Sequence, residues 1–388
     1  VLTGKYTFIQ QEQVIFGRPA ADAIADVADE LGARRLFIVC SKTLNRRTDA
    51  INGVRRRLGD RIIGTFDETE EHSPQESVLH TARVIEAAQP ELIVTIGGGS
   101  PIDTVKVAQI VLAEGIRTNE ELVRYRVLTN PDGSWNVPRS KPSPVRQIVV
   151  PTTLSAAEFS NIGGVTDRKR QVKDLYMAKY SCAQAVILDP ALTVHTPEWL
   201  WLSTGIRAVD HAVESICSRT PNPFVDANSA EGLRMLSASL RANRSNPGDL
   251  AMRLQSQLGV WLASVGIGRV EWGASHGIGH QLGGVAGVAH GHTSCVMLPN
   301  VMRWNREVVG PQLRRIAAAF GQPEGDAADL VQGLIRDLGM PTRLSEVKVT
   351  PEMFDRIAAA AMQSPMVKAN PRPITGPQQV KEILEMAL

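Results

Sequence analysis

Short apolar runs alternate with amphipathic stretches through the first half of the chain. The runs RLFIVC (35–40), LIVTIG (92–97), QIVVP (147–151) and AVILD (185–189) have the length and β-branched character of buried strands. Between them, AADAIADVADELG (20–32) and ESVLHTARVIEAAQ (76–89) repeat apolar residues every three or four positions, as a helix with one buried face does. Such alternation predicts a mostly parallel sheet covered by helices. After about residue 190 the texture changes. PEWLWLSTGIRAVDHAVESICS, SAEGLRMLSASLRA, LAMRLQSQLGVWLASVG and LRRIAAAFG keep the helical spacing, while strand-like runs become scarce. The pattern therefore predicts an α/β domain over residues 1–190 and an all-α domain over 191–388, with the change falling in LDPALTVHTP (188–197).

Composition narrows the function classes. A chain of 388 residues, 43% hydrophobic and 21% charged, is long enough for two or three domains' worth of structure. Forty-two basic residues against 40 acidic ones leave a formal charge of only +2, so no global field favours nucleic acid or an anionic membrane. Cys40, Cys182, Cys217 and Cys295 are widely spaced and form no CxxC pair, which suits reduced thiols in a cytoplasm. The start, VLTGKYTFIQQEQVIFG, lacks a basic-then-apolar signal pattern, and no apolar run approaches the ~20 residues that span a bilayer. A cytoplasmic protein with a small-molecule substrate is expected.

One segment interrupts the alternation. Residues 115–146 include RVLTNPDGSWNVPRSKPSPVRQ, with Arg124, Arg126, Arg139, Lys141 and Arg146. It reads either as a solvated surface excursion or as a lid or subunit-contact loop.

LIVTIGGGSPIDTVKVAQIVL (92–112) reads as a strand, a glycine turn and a helix. Pro101 suits a first helical turn, where its missing N–H is no loss. Gly97, Gly98 and Gly99 permit close approach of an anion to the helix N-terminus, as a pyrophosphate requires. The other reading, a tight strand–helix turn alone, uses glycine for its geometry only. PTTLSAAE (151–158) offers a second small turn after a strand, in which Thr152 and Thr153 either reach the same dinucleotide or cap a helix. The strand at 35–40 ends in Ser41 and Lys42 with no carboxylate, so NADPH is permitted beside NADH.

Four of the eight histidines fall within HGIGHQLGGVAGVAHGH (276–292). His276 and His280 share a helix face, and His290 and His292 point to one side if the chain there is extended. Upstream, Arg207 lies one turn before His211 on a helix, whereas Asp210, adjacent to His211, is expected to point elsewhere. A lone histidine is usually an ordinary hydrogen-bonded residue. Four in seventeen positions among glycines read as a metal site or a proton-transfer site.

GGGSPIDTVK, PTT…AAE, GIRAVDHAVE, HGIGH…HG with MLPNVMRWN, and NPRPIT together resemble the iron-containing (group III) alcohol dehydrogenases, over nearly the whole chain and in order. The resemblance implies a dehydroquinate synthase-like fold, a Rossmann-like domain followed by a helical one with the active site between them, and a homodimer. It implies a nicotinamide cofactor held by Ser41, Gly97, Gly98, Gly99, Ser100, Asp103, Thr152, Thr153 and Lys173. Lys173 reads equally as an exposed member of the basic turn DRKRQVKD. In that family a divalent iron or zinc ion is held by an aspartate, a histidine four residues later and two histidines fourteen residues apart. The histidines fall on His211, His276 and His290, and the aspartate position carries Arg207. A guanidinium has no lone pair to offer and repels a cation. No tightly bound metal is therefore expected, with Arg207 taking over part of its electrostatic role. The maleylacetate reductase branch also lacks the aspartate, and the chain resembles it in PTTLSAAE and AVDHAVE.

These residues imply hydride transfer from NADH or NADPH to an unsaturated or oxo acid. His280 is expected to relay the proton, with Arg207, His211, His276 and His290 completing the catalytic set. Two other readings stay open: a metal-dependent dehydrogenase of small alcohols or aldehydes, and a dinucleotide-binding protein without catalysis.

Overall fold

The computed structural model describes residues 3–130 and 134–388. They fold as two compact units, Phe8–Thr196 and Pro197–Leu388, the second taking in the described residues before Phe8. In the first unit six parallel strands form one sheet: β1 (Gln13–Phe16), β2 (Leu36–Cys40), β3 (Ile62–Phe66), β4 (Leu92–Gly97), β5 (Arg146–Pro151) and β8 (Ala185–Leu188). Their order is β1-β8-β5-β4-β2-β3. A separate hairpin pairs β6 (Ile162–Asp167) with β7 (Val172–Met177).

Strand periodicity divides the core of this unit in two. Leu36, Ile38 and Cys40 of β2 and Leu92, Val94 and Ile96 of β4 pack with Ile24 of α1 (Ala20–Glu30) and Ile51 and Val54 of α2 (Ala50–Leu58). The alternate residues Phe37, Val39 and Ile93 pack with Val78 of α3 (Gln75–Ala88) and Val105 and Ala108 of α4 (Gly99–Glu114). Helices on both faces explain why β2 and β4 are buried at every position and read as unbroken apolar runs. The edge strands β1 and β3 are only partly buried, so they carry no such run and the pattern of the chain does not announce them.

The first unit runs past residue 190 to Thr196. Asp189 Oδ2 accepts the Ala20 backbone N–H at 2.7 Å, and Thr196 donates its hydroxyl to the Thr152 carbonyl at 2.7 Å, so the residues between stay with the sheet. Within 115–146 the described residues are tied down: Val127 N–H bonds the Leu175 carbonyl at 2.7 Å, and Lys141 N–H bonds Glu114 at 2.6 Å. Pro131, Asp132 and Gly133 of that segment lie outside the described residues.

The second unit is helical, with α5 (Glu198–Ile216), α6 (Pro223–Ser245), α7 (Leu250–Ala263), α8 (Ala274–Ala286), α9 (His290–Asn305), α10 (Gly310–Ala319), α11 (Ala327–Asp337), α12 (Phe354–Ala361) and α13 (Pro377–Glu385). Ile278 and Leu282 of α8 and Val296 and Val301 of α9 pack with Ile357 of α12 and Val380 of α13. The Tyr6 hydroxyl donates to the Val265 carbonyl at 3.0 Å, which joins the N-terminal residues to this unit. Among the described residues, no helix is long and apolar enough to cross a membrane.

At the end of β3, buried Asp67 accepts from Asn45 at 2.9 Å and from both Arg46 Nε and Nη2 at 2.7 and 2.8 Å. The Arg46 hydrogen bonds hold its carboxyl down at about 2, against an ordinary value of ~3.9. The folded pKa is depressed, so this contribution is present above about pH 4 and is lost as pH falls toward about 2. Asp67→Asn should lower the urea midpoint at pH 7, and the gap to the unaltered protein should narrow between pH 4 and pH 3. A gap independent of pH would show that the carboxylate charge is not what stabilises this corner.

Candidate active site

The glycine turn and the histidine cluster lie in different units. In the first, β4 ends at Gly97, whose φ of 159° and contact with Pro101 (a Cβ would lie 2.7 Å from its Cγ) demand glycine. A Cβ on Gly98 would lie 2.9 Å from Thr153 Cγ2, and one on Gly97 would lie 3.4 Å from the Ser41 backbone nitrogen. Ser41, Gly97, Gly98, Gly99 and Thr153 are thus brought together. Gly98, the N-cap of α4, has no side chain to cap the helix, and the helix dipole there favours an anion. This cradle fits the pyrophosphate of a dinucleotide.

The remaining members of the expected cofactor set are placed around that turn. Ser100 Oγ accepts the His72 N–H at 3.1 Å, and the Ser73 hydroxyl donates to the Ser100 carbonyl at 3.0 Å. Thr152 N–H bonds the Gly97 carbonyl at 2.9 Å. Asp103 has both oxygens committed to the protein, one to Lys106 at 3.2 Å and one to the Gly164 N–H at 3.1 Å. Lys173, on β7, is exposed and lies against Gly164. His72 and Ser73, at φ 61° and 50°, were not marked by any sequence motif. Burial, followed by the Lys173 charge, lowers the His72 pKa.

All the expected catalytic residues fall in the helical unit. Helix α5 presents Arg207, Asp210, His211 and Glu214 at positions i, i+3, i+4 and i+7, one continuous face. Helix α8 begins beside that face because Glu214 and Asn370 cap it. The Gly273, Ser275 and His276 N–H groups donate to Glu214 at 3.1, 2.8 and 3.3 Å, and the Ala274 N–H donates to Asn370 Oδ1 at 3.1 Å. The NPRPIT motif thus has a structural use in its first residue. Gly277 lets α8 approach closely, since a Cβ there would lie 2.6 Å from Val367 Cγ2.

Arg207, only 3% exposed, donates from Nη1 to Ser294 Oγ at 2.9 Å, and its Nη2 lies 3.3 Å from His280 Nε2. Ser294 in turn donates to Asp210 Oδ2 at 2.6 Å, and the Ser275 hydroxyl donates to the same oxygen at 2.9 Å. Asp210 Oδ2 lies 3.7 Å from Arg207 Nη1. Asp210 therefore does not point away from the histidines: it is fully buried among them as the counter-charge of Arg207. His276 Nδ1 is 2.7 Å from Glu214 Oε2, so one proton lies between them. The rings of His211, Trp272 and His276 pack against one another, with centroids 4.8 Å apart for His211–Trp272, 5.2 Å for His211–His276 and 4.1 Å for Trp272–His276. His280 stacks on the exposed His290 at 5.7 Å. His292 is not on the same side as His290. Both belong to the first turn of α9 rather than an extended strand, and His292 lies by Trp199 at 6.1 Å.

Burial dominates the electrostatics. It pushes the Asp210 carboxyl up to about 6 against the pull of Arg207 and the two serine hydroxyls. It pushes Glu214 up to about 8, with the Asp210 charge adding to it and the helix N–H groups opposing. Burial and then Arg207 drive His211 and His276 well below the usual imidazole range, so both are neutral. Burial also lowers Arg207, which Asp210 and Glu214 hold in its charged form.

The family-type metal position lacks one of its four donors, because Arg207 stands where the pattern has an aspartate. His276 Nε2 and His211 Nδ1 are buried without hydrogen-bond partners, as ligand nitrogens would be. The oxygens and nitrogen of Asp210, Glu214 and His276 lie within 4.8 Å of one another. Asp210 Oδ2, the Glu214 oxygens and His276 Nδ1 bond serine hydroxyls, helix N–H groups and each other, whereas Asp210 Oδ1 is buried without a hydrogen-bond partner, 3.5 Å from His276 Nδ1. Asp210, Glu214 and Trp272 were missed in the sequence. The i, i+3, i+4, i+7 spacing from Arg207 was the signal for the two carboxylates, and adjacency to the histidine helix was the signal for Trp272.

Comparison with known proteins agrees with this architecture. Residues 11–190 match the iron-containing alcohol dehydrogenase model, and 201–388 match the C-terminal model of the Fe-containing alcohol dehydrogenase family. Dehydrogenase ALT3 of Alternaria alternata is 33% identical over 390 residues, covering 92% of this chain and 99% of its own. Maleylacetate reductase 1 of Cupriavidus pinatubonensis is 26% identical, covering 93% and 91%. The crystal structure of maleylacetate reductase from Agrobacterium tumefaciens superposes with a TM-score of 0.83 at 26% identity, over 100% of this chain and 99% of that one. The chain belongs to the iron-containing alcohol dehydrogenase family and is an NAD(P)-dependent oxidoreductase resembling its maleylacetate reductase branch.

Proposed function

We propose that this enzyme reduces a carboxylate-bearing oxo or unsaturated acid, in the manner of a maleylacetate reductase, and does so without a metal ion. One observation carries the proposal: the Arg207 guanidinium, buried 3.3 Å from His280 at the position where the family pattern places a ligand carboxylate. A fixed positive charge there attracts an anionic substrate and opposes a dication. The maleylacetate reductases among the relatives support the substrate class.

The nicotinamide cofactor, held through the 97–100 cradle with Ser41 and Thr153, supplies a hydride to the electrophilic carbon. The protein's task is to stabilise the resulting alkoxide or enolate oxygen. Arg207 supplies the positive potential, and buried neutral His211 and His276 form a wall that keeps water out. His280, half-buried beside Arg207 and stacked on the exposed His290, offers its ring N–H to that oxygen, and the proton that completes the reduction is drawn from solvent.

NADH and NADPH oxidation should be followed with a panel of oxo acids and aldehydes led by maleylacetate, with and without EDTA. Turnover should favour the acids and be unaffected by chelator. Stoichiometric iron or zinc in protein prepared without chelator would overturn the metal-free reading. His280→Ala should lower kcat by about 10²-fold or more with little change in cofactor KM. Arg207→Asp should reduce activity on acids and create zinc affinity measurable by titration. Gly98→Ala, whose Cβ meets Thr153, should raise the cofactor KM about tenfold, equivalent to ~1.4 kcal/mol. An unchanged KM would remove this turn from cofactor binding.

A further inference from the structure

We infer that Asp210 and Arg207 are positioning residues that act as one unit on His280: Asp210 anchors the guanidinium, which fixes the His280 imidazole with its proton on Nδ1. The inference rests on the reading of His280 as the group that faces the reacting oxygen.

The geometry runs in one direction. A guanidinium carries only N–H donors and no acceptor. Its Nη2 lies 3.3 Å from His280 Nε2, so Nε2 must be the acceptor and a neutral ring must carry its hydrogen on Nδ1. The guanidinium comes from a residue 73 positions earlier, on α5.

The guanidinium is itself immobilised. Nη1 donates to Ser294 Oγ at 2.9 Å, and that hydroxyl spends its proton on Asp210 Oδ2 at 2.6 Å. Ser275 donates to the same Oδ2 at 2.9 Å, so both α8 and α9 hold the Asp210 carboxylate in place. Arg207 and Asp210 are 3% and 0% exposed, and neither ion has water to replace the other. Asp210 and Arg207 are therefore a linked pair: a lone arginine would be an unpaired buried cation, and a lone aspartate an unpaired buried anion.

The consequence is chemical. Fixing the tautomer decides which edge of His280 presents an N–H: the neutral ring hydrogen-bonds the developing oxyanion through Nδ1–H and keeps its proton, since Nε2 faces the guanidinium and cannot take up another.

The test uses the full-length protein labelled with 15N-histidine, with His280 assigned by its disappearance in His280→Gln. Proton–nitrogen correlation through long-range couplings should show His280 as the Nδ1–H tautomer at pH 8 without substrate. The charge-neutral double variant Arg207→Met/Asp210→Asn keeps side-chain volume and avoids an unpaired buried ion. In it, His280 should move to the Nε2–H form and kcat should fall about 10²-fold, with cofactor KM within twofold. Asp210→Asn alone should populate both tautomers. The inference is overturned by an Nε2–H tautomer in the unaltered protein, by an unmoved tautomer in the double variant, by a single Nδ1–H form in Asp210→Asn, or by a moved tautomer with unchanged kcat. The resting-state spectrum needs no substrate, so absence of oxo-acid turnover would fail the proposed function alone.

Discussion

A guanidinium buried among imidazoles is the constraint on which the rest of this site depends. Removing an ion from water costs several kcal/mol even after relaxation, and a second cation beside it would face its full repulsion in a low-dielectric setting. The chain meets that cost with an aspartate one turn along α5 and a serine hydroxyl between the two charges. Burial first, and then this positive charge, hold His211 and His276 neutral.

The scaffold that holds this arrangement is made of helix ends and close contacts. Glu214 does two things at once: it accepts three backbone N–H groups at the start of α8 and faces the His276 ring. The carboxylate thus fixes both where the helix begins and how its first histidine is turned. Asn370, far along the chain, completes the same cap and bonds Asn305 at the end of α9. Glycine at 277 allows the packing against Val367. The glycines of the histidine-rich stretch therefore belong in part to packing, and the chemistry is carried by what that packing brings near.

How much of this was legible in the chain differs by element. Central strands such as β2 and β4 are covered on both faces, so their burial is written as continuous apolar runs. Edge strands β1 and β3 are half-solvated and leave a mixed pattern that resembles loop. The hairpin β6–β7 was hidden differently: β6 is mostly buried but broken by the GG pair, and β7 is only partly buried after the basic DRKR turn. Among site residues, the i, i+4 relation of Arg207 and His211 was readable from helical geometry. His290 and His292 were misplaced relative to each other because an extended segment was assumed where α9 in fact begins. Asp210 was set aside because adjacency to His211 was weighed above its spacing of three from Arg207.

By itself the sequence determined the ingredients: a glycine turn between a buried strand and a helix, a histidine-rich helix, and an arginine where the family pattern has a carboxylate. These are local facts, set by spacing along one element and by side-chain chemistry. The tertiary structure alone decided what the arginine touches. Its partners His280 and Ser294 lie 73 and 87 residues away, and Ser275 reaches Asp210 across a separation of 65. Hydrogen bonds depend on tenths of an ångström between separate helices, and no periodicity within one helix encodes that distance.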